Sequence, residues 1–188
     1  MRRLHRLRLP VDTLVQMNTI VPPRVDQVLR ALDPSRFRMV EHGALGAPIR
    51  SVADFANAMG VGLDRVAKTV LVARAGSAPA DRVAEPIGAY ALVCLPGSCK
   101  INLSAVAQNL NWSACELAKT TELLEVFGVK QGAVSPIGPG DVPLIVDRDL
   151  LSFPTIFVGS GAIGVDIELD PRDLVILTKA SVHSIASA

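Results

Sequence analysis

The chain has 188 residues, of which 49% are hydrophobic and 20% charged, and this is an ordinary composition for one globular domain. Aromatic residues make up only 4%, which argues against a sheet surface that stacks single-stranded bases. The net charge of +1 is too small to predict strong non-specific binding to nucleic acid.

The first half of the chain predicts short helices and strands in alternation. In chain order we expect a helix that ends at Asp33-Pro34, a strand over 37–41, and a helix that Ser51 caps and Gly60 ends. A buried strand over 69–73, a loop over 75–88 and a partner strand over 90–95 should follow.

The second half continues this pattern with more strands. We expect a helix over 102–110, then a helix capped by Thr120 or Thr121 whose Leu123, Leu124 and Phe127 face inward, and then a turn-rich stretch over 128–140. Strands are expected over 144–147, 155–158 and 165–169, with a glycine loop over 159–164 between the last two. Pro171 should open a final helix, and a last strand is expected over 181–185. Short strands outnumber helices, and their hairpin spacing is antiparallel. The sequence therefore predicts a mixed α/β or α+β fold, with a strongly curved, mostly antiparallel sheet and flanking helices.

Cysteine usage and apolar runs indicate the cellular compartment. Cys94, Cys99 and Cys115 lack the spacing of a zinc site or a disulfide scaffold. No apolar stretch approaches the roughly 18 residues of a membrane span, and no apolar signal segment follows the basic N-terminus. We therefore expect a soluble, cytoplasmic protein that does not bind a membrane.

Familiar catalytic motifs are absent, but three features are candidates for a site. Lys68 stands at the edge of an apolar strand, where a lysine either extends its ammonium to water or anchors a phosphate or carboxylate. The 128–140 stretch is either a structural turn or a loop whose Gly132 backbone approaches a ligand and donates N–H groups to a carbonyl oxygen. In the second case Ser135 supplies a hydroxyl and Pro136 stiffens the loop.

The 159–164 loop is a third candidate. Its letters match a dinucleotide-binding GxGxxG, but it joins two strands and does not open a helix, so that interpretation is disfavoured. The loop is instead a candidate for the wall opposite Gly132. Asp147, at a strand end, either orients one of these walls or is a turn residue.

Four blocks in order resemble the YbaK/prolyl-tRNA-synthetase-associated domain family of aminoacyl-tRNA deacylases, over roughly residues 36–186. They are a lysine strand at 65–72, a GxxxP loop at 132–138, a strand at 144–147, and a glycine loop followed by a strand and helix start at 158–174. The resemblance implies a pseudo-barrel with flanking helices and a site with no metal and no cofactor.

It also implies hydrolysis of the ester of a misacylated tRNA, most simply Cys-tRNA(Pro) or Ala-tRNA(Pro). Lys68 would hold the phosphate of the terminal adenosine, and Gly132 would offer backbone donors to the ester, with Ser135 beside them as a third catalytic residue. Water or the substrate's ribose hydroxyl would attack. Substrate contacts are expected from Thr69, His42, Pro136, Gly138, Asp147, Gly159, Ser160 and Gly161.

Two positions depart from the family pattern and bear on the acyl group. Ile163 stands where a basic residue is frequent, and Val40 where an aromatic is common. A deacylase for another small residue such as Ser or Thr, or a catalytically silent tRNA- or synthetase-binding module, is therefore an alternative.

The domain division follows the charge. Residues 1–50 hold nine Arg against four acids, and residues 101–188 hold five basic residues against ten acids. We predict a basic helical extension over 1–35 and a YbaK-like deacylase domain over 36–188. The expected partners are the 3′ acceptor end of aminoacyl-tRNA and prolyl-tRNA synthetase, with the chain as a monomer or homodimer.

Overall fold

The computed structural model describes residues 21–86, 88–138 and 142–187. Within these ranges lie six α-helices: α1 (Pro23–Leu29), α2 (Val52–Met59), α3 (Pro79–Ala84), α4 (Leu103–Asn109), α5 (Thr120–Phe127) and α6 (Pro171–Thr178). The strands there are β1 (Phe37–Glu41), β2 (Ala67–Arg74), β3 (Tyr90–Pro96), β4 (Lys100–Ile101), β5 (Cys115–Leu117), β6 (Leu144–Asp147), β7 (Ile156–Gly159), β8 (Val165–Leu169), β9 (Ser181–His183) and β10 (Ala186–Ser187).

The strands form mixed, mostly antiparallel sheets. The largest has the order β5-β2-β3-β6-β9, in which β6 runs parallel to β3 and β9 and the other pairs are antiparallel. A second sheet, β1-β8-β7, is antiparallel throughout, and β4 pairs with β10. A parallel bridge between Val66 and Phe157 links the first two sheets. The predicted mixed α/β class is confirmed, whereas the sheets formed by the described strands stay open and close no barrel.

Strand β3 is buried along its whole length because it lies between β2 and β6 with apolar side chains packed on both faces. Its side chains alternate between two hydrophobic clusters. Tyr90, Leu92 and Cys94 belong to the main core, while Ala91, Val93 and Leu95 belong to a second one. Pairing with this strand fixes β2 and places Lys68, near the start of β2, opposite Leu95.

Helix α1 falls within the range predicted as an N-terminal extension. Its Val25 and Leu29, with Val21 just before it, are buried in the main core. Residues 1–20, which contain four of the nine arginines of the basic segment, lie outside the described residues.

The 75–88 stretch was predicted as a loop, and this prediction was wrong because it contains α3. The helix is fixed by Arg82, which is 2% exposed and pairs with Glu122 of α5 at 2.9 Å. Gly, Ala and Pro dominate the local composition and predict a turn, and the stabilising partner lies 40 residues away.

The start of α5 also differs from its prediction. No Thr hydroxyl caps it; the Glu122 carboxylate accepts the Lys119 N–H at 2.9 Å instead. Leu124, predicted to face inward, is 54% exposed, because Leu123 and Glu122 occupy the inward face. A buried acid at a core position cannot be recognised from hydrophobic spacing alone.

Candidate active site

A cleft of about 490 Å³ opens where β2 begins, between the start of α2, the 128–138 loop and the 159–164 loop. Its volume lies within the range of about 300–1,000 Å³ typical of small-molecule sites. Among the residues predicted for the site, it brings together five: His42, Lys68, Thr69, Gly132 and Gly159.

Lys68 is held at the rim of this cleft by backbone carbonyls. Its ammonium donates to Gly97 O at 3.4 Å and to Cys99 O, both in the turn between β3 and β4. That turn passes close to the start of β2: a Cβ on Gly97 would lie 2.7 Å from Val66 O. An ammonium has three N–H donors, and as these two are its acceptors within the described residues, the third donor is left for a ligand.

Gly132 presents its backbone to the cleft with φ +86°, a conformation that favours glycine. Among the residues that the structure describes, no carbonyl accepts a hydrogen bond from its N–H. The N–H therefore remains available to an oxygen of a ligand.

The two glycine loops pack directly against one another. A Cβ on Gly159 would lie 2.7 Å from Val134 O, and one on Gly161 would lie 3.6 Å from the Ser135 Cβ. The absence of a side chain at Gly159 therefore sets how closely the Gly132 loop approaches the end of β7.

His42 and Asp166 form a pair in the same cleft. The His42 Nε2 and the Asp166 Oδ2 are 2.7 Å apart, and the imidazole packs on Phe55 with 5.3 Å between ring centroids. Burial raises the pKa of the Asp166 carboxyl, and the hydrogen bond with His42 opposes that rise. The pair forms because β1 and β8 are antiparallel, with Val40 opposite Asp166 and the His42 N–H bonded to Gly164 O.

Asp166 was missed by the sequence analysis. The alternation along β8, with Val165, Ile167 and Leu169 buried, places Asp166 and Glu168 on the other face of the strand. That pattern could have singled out the acid, but its partner depends on the pairing with β1.

Ser135, Pro136 and Gly138 do not line this cleft. The buried Ser135 hydroxyl accepts the Ile137 N–H at 3.0 Å and so spans Pro136. Gly138 faces the Arg24 side chain, since a Cβ on Gly138 would lie 3.2 Å from the Arg24 Cγ. Ser135 and Gly138 line a separate, largely apolar cavity of about 570 Å³, together with Gly161.

Asp147 and Ser160 also lie outside the cleft. The buried Asp147 carboxylate accepts N–H groups of Asp149, Ile185 and Ala186 at 2.8–3.0 Å, which ties the C-terminal strands to β6. The Ser160 hydroxyl is buried and accepts the Ala162 N–H at 3.2 Å within its own loop. Both side chains are occupied by contacts that shape the fold.

Over residues 21–86, 88–138 and 142–187, no three His, Cys, Asp or Glu side chains lie close enough together to hold a metal ion. In the same part of the chain no helix has the length and apolar character needed to cross a membrane. The Cys94 thiol is buried in the core, and burial raises its pKa to about 12.

The profile of the aminoacyl-tRNA editing domain family matches residues 46–177. A proline–tRNA ligase of Thermosipho melanesiensis is 25% identical over 112 residues, which are 59% of this chain but only 18% of that protein. The crystal structure of hypothetical protein APE2540 is 27% identical and superposes with a TM-score of 0.71, covering 87% of this chain and 99% of that one. A candidate trans-editing enzyme for prolyl-tRNA synthetase, at 22% identity, shares the fold with a TM-score of 0.71 over 89% of this chain and 99% of that one.

Proposed function

The chain belongs to the aminoacyl-tRNA editing domain family, and from this premise we propose that it hydrolyses the ester bond of misacylated tRNA in trans, with Cys-tRNA(Pro) or Ala-tRNA(Pro) as substrate. The observation that best supports the proposal is that Lys68 and Gly132 line one cleft. A cation for a phosphate and a backbone donor for a carbonyl oxygen are the two groups that an aminoacylated ribose requires.

The Lys68 ammonium binds the phosphate of the terminal adenosine. Two of its N–H donors are held by Gly97 O and Cys99 O, so the third is positioned before the substrate arrives. The Gly132 N–H donates to the carbonyl oxygen of the ester and stabilises the negative charge that develops on it. An aminoacyl ester is already activated, so positioning together with this donor suffices for useful acceleration.

The oxygen that cleaves the ester comes from water, since attack by the neighbouring ribose hydroxyl of the substrate would only move the acyl group to that hydroxyl. Ser51 and Thr69 are the hydroxyl-bearing residues that line the cleft, but the Ser51 hydroxyl caps α2 by accepting the Asp54 N–H at 3.1 Å. The Thr69 hydroxyl is buried and, within the described residues, has no hydrogen-bond partner that could act as a base. Attack by water breaks the bond between the acyl carbon and the ribose oxygen and releases the amino acid.

The acyl group is selected by an apolar wall. Ile49, Val52 and Phe55 line the cleft, and Ile163, which is 71% exposed, covers its edge. A wall of this kind favours a small apolar side chain such as that of Ala or Cys over one that needs a hydrogen-bond partner. The expected source of the substrate is prolyl-tRNA synthetase, and the site of action is the cytoplasm.

A panel of labelled Cys-, Ala-, Ser-, Thr- and Pro-tRNA(Pro) tests the proposal through the rate of ester loss. We expect Cys- or Ala-tRNA(Pro) to be hydrolysed well above the uncatalysed rate, and Pro-tRNA(Pro) to be spared. Reaction in ¹⁸O-water should place the label in the released amino acid. Uncatalysed rates for the whole panel would refute the proposed activity, while faster loss of the Ser or Thr ester would correct its specificity.

A further inference from the structure

The cleft that contains Lys68 also contains a carboxylate, that of Asp166. One of its oxygens, Oδ2, is 2.7 Å from His42 Nε2. Among the described residues nothing forms a hydrogen bond with Oδ1, although the side chain is only 18% exposed. The cleft therefore offers one oriented and largely desolvated acceptor on the β8 side.

An ionised carboxylate accepts hydrogen bonds but cannot donate them, so His42 donates from Nε2 whether or not its imidazole is charged. Burial raises the pKa of the Asp166 carboxyl, which means that the surroundings solvate its negative charge poorly. A cation placed next to Oδ1 would relieve this cost. Lys68 does not serve that purpose: its ammonium is bonded to Gly97 O and Cys99 O, and within the described residues the ion-pair partner of Asp166 is His42.

We propose that Asp166 binds the α-ammonium group of the aminoacyl moiety, and that His42 is a positioning residue which holds the carboxylate toward it. This inference rests on the proposed function, since it assigns the amino end of the same substrate. The substrate has an anionic phosphate at one end and a cationic amine at the other, and the cleft offers Lys68 for the first and Asp166 for the second.

The contacts of His42 favour this role over that of a catalytic base. Its Nε2 is engaged by Asp166, and its ring is packed on Phe55, so the imidazole is fixed where it orients the carboxylate. An Asp–His pair that activates water would instead use the second ring nitrogen on the nucleophile. The two roles differ in what they require of the substrate, because only the first requires an amine.

The decisive substrates are Ala-tRNA(Pro) and its deaminated counterpart, in which a hydroxyl of nearly the same size replaces the ammonium. At about pH 6.5 an α-amino group with a pKa of about 7.7–8.0 is protonated. Because an α-ammonium group also activates the ester in buffer, kcat/KM for each ester is divided by its own uncatalysed rate, and this rate enhancement by the wild-type chain should be about tenfold larger for the alanyl ester than for the hydroxy ester. Asp166→Asn, which keeps the size of the side chain, should hydrolyse both esters with the rate enhancement that the wild-type chain shows for the hydroxy ester.

Two further variants serve as controls. Glu41→Gln removes an exposed carboxylate at the end of β1 outside the cleft and should keep the tenfold preference. His42→Gln retains a donor for Asp166 and should keep most of the preference. If Asp166→Asn fails to fold, as judged by its thermal transition, the preference of the wild-type chain and of His42→Gln still tests the proposal.

Equal rate enhancements over buffer for the two esters in the wild-type chain would overturn the assignment of Asp166. So would an Asp166→Asn variant that slows both esters by the same factor, which is the result expected of a catalytic base pair. Failure of the proposed function looks different, because neither ester would then be lost faster than in buffer.

Discussion

Lys68→Met removes the ammonium that we assign to the substrate phosphate while keeping a long unbranched side chain. In the folded protein the variant loses two hydrogen bonds to Gly97 O and Cys99 O, at the rim of the cleft. Because these carbonyls lie at a partly exposed turn, we expect the free energy of unfolding to fall by only about 1 kcal/mol. The fold should therefore survive the substitution.

The effect on catalysis should be larger. A unit charge about 4 Å from a phosphate oxygen is worth about 4 kcal/mol at an effective dielectric constant of about 20. Lys68 is half-buried, so solvent reduces this toward the ~1.5–3 kcal/mol of a charge-assisted hydrogen bond. The expected fall in kcat/KM is therefore about 10- to 150-fold, at ~1.4 kcal/mol for each factor of ten.

The assay is the initial rate of ester loss from the best substrate of the panel, at several substrate concentrations and at low and high salt. Lys100→Met is the matched control, because it removes the same charge from an exposed position on β4 and should leave kcat/KM unchanged. Wild-type activity should fall with salt more steeply than that of Lys68→Met. A folded Lys68→Met variant with wild-type kcat/KM would refute the phosphate anchor.

Three further substitutions test other parts of the structure. Glu122→Gln should cost about 3 kcal/mol in the free energy of unfolding, since it leaves the buried Arg82 with only the half-exposed Glu116 carboxylate. Burial raises the pKa of Glu122, but hydrogen bonds from Arg82, the Lys119 N–H and Tyr90 outweigh it and hold that pKa below 4.5. The contribution of Glu122 to the free energy of unfolding is thus present above pH 4.5 and lost on further acidification. Urea titrations from pH 6 to 3 should show a shallower fall in this free energy for the variant than for the wild type. Gly159→Ala should lower kcat/KM for ester hydrolysis at least about tenfold with little change in KM, because its Cβ displaces Val134 O and with it the Gly132 loop. Asp147→Asn should lower the free energy of unfolding by about 1–3 kcal/mol while the folded fraction keeps its kcat.

Each of these three has a contradicting outcome. A pH dependence for Glu122→Gln as steep as that of the wild type would place the acid-sensitive group elsewhere. Full activity in Gly159→Ala would show that the packing of the 159–164 loop against the Gly132 loop does not affect catalysis. If folded Asp147→Asn lost kcat while its free energy of unfolding stayed unchanged, the Asp147 carboxylate would have a role in catalysis and not in stability.

Local signals predicted most helix and strand positions. The Ser51 cap and the left-handed Gly60 bound α2, and Pro171 opens α6, as expected from their backbone preferences. Such signals act over a few residues, which is why they can be recognised without the fold. The errors at α3 and α5 share one cause: Arg82 and Glu122 stabilise each other across 40 residues.

The candidate site divides in the same way. The sequence determined which groups are available: a lysine at the start of β2, a glycine able to adopt positive φ at position 132, and small residues in the 159–164 loop. Only the tertiary structure decided which of them meet. It brought Gly132 into the cleft of Lys68 and left Ser135 outside it.

The pair of His42 and Asp166 makes the physical reason plain. The position of each residue on or beside its strand can be predicted from the local sequence. Their 2.7 Å contact, however, depends on the register that sets Val40 opposite Asp166 across two strands far apart in the chain. Register is fixed by the burial of alternate side chains in both strands at once, and a shift by one residue would turn Asp166 to the other face. Periodicity and turn chemistry are encoded locally, whereas convergence on a cleft is a property of the packed sheets.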